Sequence, residues 1–298
     1  MKHRFSITLI LLSMFLLTQF IGLFVISQNA PLPYGLQTPE EIESGPGFIS
    51  IIIAFIFAMA IILILIKYKW KLVIRIWFFT VVAIAIGITL NSVLRHYLLY
   101  PSIAAIIIAA PVAFMKIFRP NFLVHNATEL LIYPGIAAVF VPILAVWSII
   151  TLLIIISLYD MWAVWKSKVM QKMAKFQMEE LKIFGGFLIP SASKKVKAQI
   201  QKLKEKYKGK TIPKKALNKK FKVSLAILGG GDVVFPIIAA GVFLIQFNLT
   251  AALFVTFGAF AGLTALLILS QKKKFYPAMP FITAGIFLGM LLWKIFLG

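Results

Sequence analysis

The sequence predicts an all-α polytopic membrane protein with nine transmembrane helices. Two observations carry that expectation. Of the 298 residues 61% are hydrophobic, and they fall in runs of about 20 residues, the length a helix needs to cross a bilayer. The polar breaks between runs alternate in charge, as short loops do when lysine and arginine stay on the cytoplasmic side during insertion. The residue supply also excludes several chemistries. There is no cysteine, hence no disulfide, thiolate nucleophile or cysteine metal site. His3, His96 and His125 show no metal-ligand spacing and no HExxH, which excludes a zinc-dependent membrane protease. No serine sits in a GxSG-like setting with a histidine inside a span, which disfavours a serine intramembrane protease.

Along the chain the spans read 5–27, 47–66, 72–91, 102–117, 127–142, 143–165, 223–243, 250–270 and 277–297. The first follows Met1-Lys2-His3-Arg4 and has the look of a signal peptide. Its apolar stretch of about 23 residues exceeds the usual 7–15, so it is expected to stay as an anchor. The run 127–165 is too long for one crossing, and Pro134-Gly135 and Pro142 divide it into two helices. Between spans six and seven lies a basic loop. The expected organisation is therefore 1–165, a membrane part with spans one to six; 166–222, a cytoplasmic loop; and 223–298, a membrane part with spans seven to nine.

Orientation follows from the charges. Lys2 and Arg4, then Lys67, Lys69 and Lys71, then Lys116 and Arg119, then the eighteen lysines of 166–222, then Lys272, Lys273 and Lys274 occupy one side. The opposite loops carry Glu40, Glu41 and Glu43, or Arg95 alone. This places the N-terminus in the cytoplasm and the C-terminus outside, which needs an odd number of spans. Arg75, just inside span three, is expected to snorkel to the cytoplasmic surface. Glu129, near the start of span five, reads as an interfacial charge.

Asp160 and Asp232 are the only aspartates in the chain, and both fall inside spans. Counting from Lys166 and Lys222 at 1.5 Å per residue, they lie about 9 and about 15 Å inside the cytoplasmic boundary. Consecutive antiparallel spans can present them to each other. An aspartate near mid-membrane costs about 2.5–3.5 kcal/mol on insertion scales, so intramembrane carboxylates are rare and usually functional. Two facing ones hold a shared proton, the arrangement of an aspartic protease dyad. One carboxylate takes a proton from water as the water attacks a peptide carbonyl, and the protonated partner donates to the developing oxyanion. That chemistry needs no metal and no organic cofactor. Gly229, Gly230 and Gly231 remove side chains just before Asp232 and let another backbone approach.

The stretches Tyr159-Asp160, "GGGD" at 229–232 and "PAMP" at Pro277-Ala278-Met279-Pro280 resemble, in order, the YD, GxGD and PAL motifs of the presenilin and signal peptide peptidase family of intramembrane aspartyl proteases. Met279 stands where PAL has leucine, a replacement that keeps volume and apolarity. The compact chain looks most like the archaeal homologues. The resemblance implies a presenilin-like fold, Asp160 and Asp232 as the dyad, and Pro277, Ala278 and Met279 shaping the site, with single-span transmembrane proteins or signal peptides as substrates. Independently, two prolines within four residues leave backbone groups free at the cytoplasmic end of the last span, although proline also suits a helix's first turn. The Tyr159 hydroxyl is placed to meet a carboxylate or line a groove, while a tyrosine near a span end is also ordinary at the interface.

Two further features complete the reading. From Lys166 to Leu181 apolar residues recur at helical spacing, suggesting that span six continues as an amphipathic helix. The lysine-rich stretch 194–222 is expected to be flexible and drawn to anionic headgroups. Nucleic-acid binding is not expected even at net charge +22, because no aromatic-interleaved basic patch accompanies it. "FGGFLIP" at 184–190 is an apolar island without an assigned role. The competing function is a proton- or cation-coupled transporter or channel using the two aspartates as a relay. It lacks paired broken segments in matching halves and leaves PAMP unexplained. A prepilin-type peptidase also uses GxGD, but its flanking sequence differs.

Overall fold

The computed structural model describes residues 5–28, 31–36, 70–167, 184–191, 224–270 and 276–297, with isolated positions 53, 57, 61 and 68. Eight helices are formed there: α1 Phe5–Ser27, α2 Lys71–Leu94, α3 Pro101–Phe118, α4 Phe122–Phe140, α5 Val146–Trp162, α6 Gly230–Gln246, α7 Leu249–Leu269 and α8 Met279–Phe296. Seven, counting short extensions of α4 and α5, are long and apolar enough to cross a membrane, and α6 is shorter at 17 residues. They match eight of the nine expected spans. The span expected at 47–66, apart from the isolated positions 53, 57 and 61, the amphipathic helix expected from Lys166 to Leu181, beyond residue 167, and the flexible segment expected from 194 to 222 lie outside the described residues.

The division of 127–165 is observed, but only one of the two proline sites makes it. Helix α4 runs through Pro134 and ends at Phe140, where Val141–Ile143 tighten into a 3-10 turn around Pro142 before α5 begins. Pro134-Gly135 stays helical, and Gly135 serves packing instead: a Cβ there would overlap the Ala85 carbonyl of α2. Helices α7 and α8 approach in the same way. Gly258 and Gly262 face Gly285 and Gly289, and a Cβ on any of them would strike the opposing backbone, the small-xxx-small packing of membrane helices.

One correction concerns the span expected from 223, which does not begin as a helix. Ser224–Gly229 form strand β2, paired antiparallel with β1, Gly186–Ser191, in the register Gly186↔Gly229 to Ser191↔Ser224. The reason is visible in burial. Ala226 and Leu228 are buried while Ile227 is 42% exposed, the period of two of a strand with one face on the core. Three successive glycines then make a helix start before Gly230 unfavourable. The apolar island at 184–190 thus supplies the partner strand, with Phe187 and Ile189 facing inward.

The hairpin is fixed to the bundle through α4. The Asn126 side chain accepts from the Leu188 N–H (3.0 Å) and donates to the Leu188 carbonyl (2.8 Å), standing in for a neighbouring strand. His125 Nε2–H donates to the Gly186 carbonyl at 2.8 Å. On the other side of the bundle, Ser157 of α5 donates to Thr283 of α8 at 2.8 Å.

Candidate active site

Asp160 lies in the last turn of α5, buried at 6% exposure, just before the wider π turn Ala163–Ser167. Its carboxyl is aimed at the start of α8. Asp160 Oδ2 accepts from the Met279 N–H at 3.0 Å, and the Ala278 backbone N–H bonds the same carboxyl. The first N–H groups of a helix have no partner within it, and their dipoles favour an anion. Here Ala278 is the cap, Met279 the first helical residue and Pro280 the second. Proline therefore sits where its missing N–H costs nothing, and the two residues before it supply the donors. The PAMP stretch is an ordinary helix start put to use as a cradle for Asp160. Pro277 and Met279 are buried and Pro280 is half-buried around it.

Asp232 enters from the adjacent element. Gly229 caps α6 and Asp232 is its third residue, with the carboxyl turned back toward the Gly229 backbone N–H, the reciprocal half of a capping box. Each glycine before it has its own physical task. A Cβ on Gly229 would stand 3.0 Å from Asp232 Oδ2, and one on Gly230 would stand 2.8 Å from the Tyr133 hydroxyl. Gly231 is exposed, and a Cβ there would meet only the Phe235 ring at 3.6 Å. The two aspartates, from the end of α5 and the start of α6, lie close enough for the charge of Asp160 to act on Asp232.

Tyr159 is the one residue of the expected set that the fold leaves apart. Its side chain is 51% exposed and tilts against Trp162 at 6.1 Å between ring centroids. One residue along a helix is a turn of about 100°, so burying Asp160 sends Tyr159 outward.

Several groups near the site were not read from the sequence as site residues. Gln19 of α1, fully buried, donates to the Val233 carbonyl at 3.1 Å in the first turn of α6. Lys116 and Glu129 form a buried ion pair at 2.5 Å, with exposures of 6% and 1%. Glu129 is thus a core group and not an interfacial charge, and Lys116 lies in the last turn of α3, not in a loop. With Nε2–H committed to Gly186, His125 Nδ1 is left to accept from Lys116 Nζ at 3.2 Å. Tyr133, one turn after Glu129, turns its hydroxyl toward Gly230, Glu129 and Asp232. The available signal was the cluster His125-Asn126-Ala127-Thr128-Glu129 at the head of an apolar span, and the lone amide of Gln19 inside another.

Comparison with known proteins agrees in fold. A solved structure described as a presenilin family intramembrane aspartate protease, in a C222 crystal form, is 20% identical, with 97% of this chain and 98% of that chain covered at a TM-score of 0.64. A P2 crystal form with the same description is 19% identical, with 96% of each chain covered and a TM-score of 0.60. No curated protein sequence matches the chain. The family model described as signal-peptide peptidase, presenilin aspartyl protease matches residues 12–298. The chain therefore belongs to the signal-peptide peptidase and presenilin aspartyl protease family and is an integral, multi-pass intramembrane aspartyl protease.

Proposed function

We propose that Asp160 and Asp232 are the catalytic dyad, and that the enzyme hydrolyses peptide bonds within single-span transmembrane segments or signal peptides. The observation that carries this reading is the convergence of three separate stretches on one point. Tyr159-Asp160 ends α5, GGGD starts α6, and PAMP starts α8 with two N–H groups on the Asp160 carboxyl. Charge-assisted donors of this kind suit the ionised form, which makes Asp160 the base that accepts a proton from water. Asp232 then holds the shared proton and gives it to the carbonyl oxygen as the carbon becomes tetrahedral. A relay for ions has no evident use for Ala278 and Met279 clamping one of its carriers.

A helical substrate must open before its carbonyls can be reached, and each unsatisfied backbone group in lipid costs several kcal/mol. The outer edge of β2 supports an answer. Its partner β1 is held on its far side by Asn126, and among the described residues no strand pairs with the outer edge of β2, which is left for an extended substrate segment leading to Gly231 and Asp232. The same reading has the basic loop 166–222 on the cytoplasmic face beside anionic headgroups, with the N-terminus inside and the C-terminus outside. The test is a peptide mimic carrying a hydroxyl at the tetrahedral carbon. It should bind the wild type at least about 100-fold tighter than Asp160→Asn/Asp232→Asn; equal binding would remove the dyad from the site.

A further inference from the structure

Tyr133 has the burial of a core residue and a hydroxyl without employment in the core. The side chain is 4% exposed, and its oxygen makes no hydrogen bond of good geometry among the described residues. The ring is anchored edge-on against Phe187 of β1, with centroids 6.0 Å apart and planes at 78°. The oxygen is held over Gly230, whose missing side chain makes room for it. The charged groups it faces are Glu129, which is within its reach and also paired with Lys116, and Asp232. Glycine at 230 lets the hydroxyl stand there, two residues from Asp232.

We propose that Tyr133 is a third catalytic group, a hydrogen-bond donor to the scissile carbonyl oxygen as that oxygen gains charge. The proposal rests on the dyad reading. Water adds to the carbonyl carbon, its proton passes to Asp160, and the carbonyl π pair moves onto oxygen. Asp232 delivers its proton there while the Tyr133 O–H donates a hydrogen bond and keeps its own proton. Donors aimed at the position of a developing oxyanion act on the transition state more than on the bound substrate.

Tyr133→Phe keeps the ring and its contact with Phe187 and removes only the oxygen. In liposomes with a single-span peptide substrate, kcat should fall by about 100-fold, the usual effect of deleting one such donor, with KM within about twofold. The affinity of the hydroxyl-bearing mimic should fall by the same factor as kcat/KM, and the melting temperature should hold, since the ring and its packing are kept. Unchanged kcat, or parallel losses of melting temperature and activity, would overturn the assignment. Asp232→Asn measured alongside separates the two readings. An active Asp232→Asn variant refutes the dyad, whereas an inactive one beside a fully active Tyr133→Phe refutes Tyr133 alone.

Discussion

Asn126 offers the sharpest test of how the fold positions the site, because it touches neither aspartate. Its amide bonds both the N–H and the carbonyl of Leu188, at 3.0 and 2.8 Å, and is itself 6% exposed. Asn126→Leu fills nearly the same volume and leaves two partly buried backbone groups of β1 without partners. At about 1–3 kcal/mol for each unmet group, the local cost is about 2–6 kcal/mol. The chain can relieve part of it by letting β1 swing away from α4. That motion is transmitted directly, because Gly186 pairs with Gly229 and the Gly230 N–H donates to the Gly185 carbonyl at 3.3 Å, two residues before Asp232. If half the cost appears as displacement of the hairpin, about 1–3 kcal/mol, kcat/KM for a single-span peptide in liposomes should fall about 5- to 150-fold. A control is Asn121→Ala at the exposed cap of the same helix, where the side chain accepts from the Leu123 N–H at 3.0 Å. It should cost about 1 kcal/mol of stability and leave kcat/KM alone. Wild-type kcat/KM in Asn126→Leu would show that the hairpin does not set the position of Asp232.

Substrate spans with Gly or Pro in their cytoplasmic third should be cut faster than matched poly-Leu spans, and Gly231→Leu, projecting into the open face beside Asp232, should slow both. Equal rates for flexible and rigid spans under saturating and sub-saturating substrate would show that unwinding is not limiting. In cells, a cysteine at position 36 should label from outside and one at position 205 only after permeabilisation. The reverse pattern would turn the site toward the exoplasmic face.

The elements legible in the sequence were those whose signal is local. A run of about 20 apolar residues reads as a span wherever it stands, and seven helices of that kind are present among the described residues. Two aspartates in such runs stand out because they are the only aspartates in the chain. The hairpin was not legible, because the apolar run Ser224–Gly229 is too short for periodicity to separate strand from helix. What decides it is a partner strand beginning 38 residues earlier, at Gly186. Tyrosine shows the same limit. Adjacency in sequence favoured Tyr159, which the helix turns outward, while the phenol that reaches Gly230 is Tyr133, on a different helix. Lys116 and Glu129 each read as boundary charges by position, and become a buried pair only because α3 and α4 bring them within 2.5 Å.

The central claim is that two carboxyls, one charged and one protonated, do the chemistry together. Its most direct test is the rate of peptide-bond cleavage by Asp160→Asn and by Asp232→Asn, each purified, confirmed as folded by its melting temperature, and placed in liposomes with a single-span substrate. Each amide keeps the shape of the side chain and removes its acid–base function, so neither variant should produce detectable cleavage. Appreciable turnover by either one alone would contradict the account.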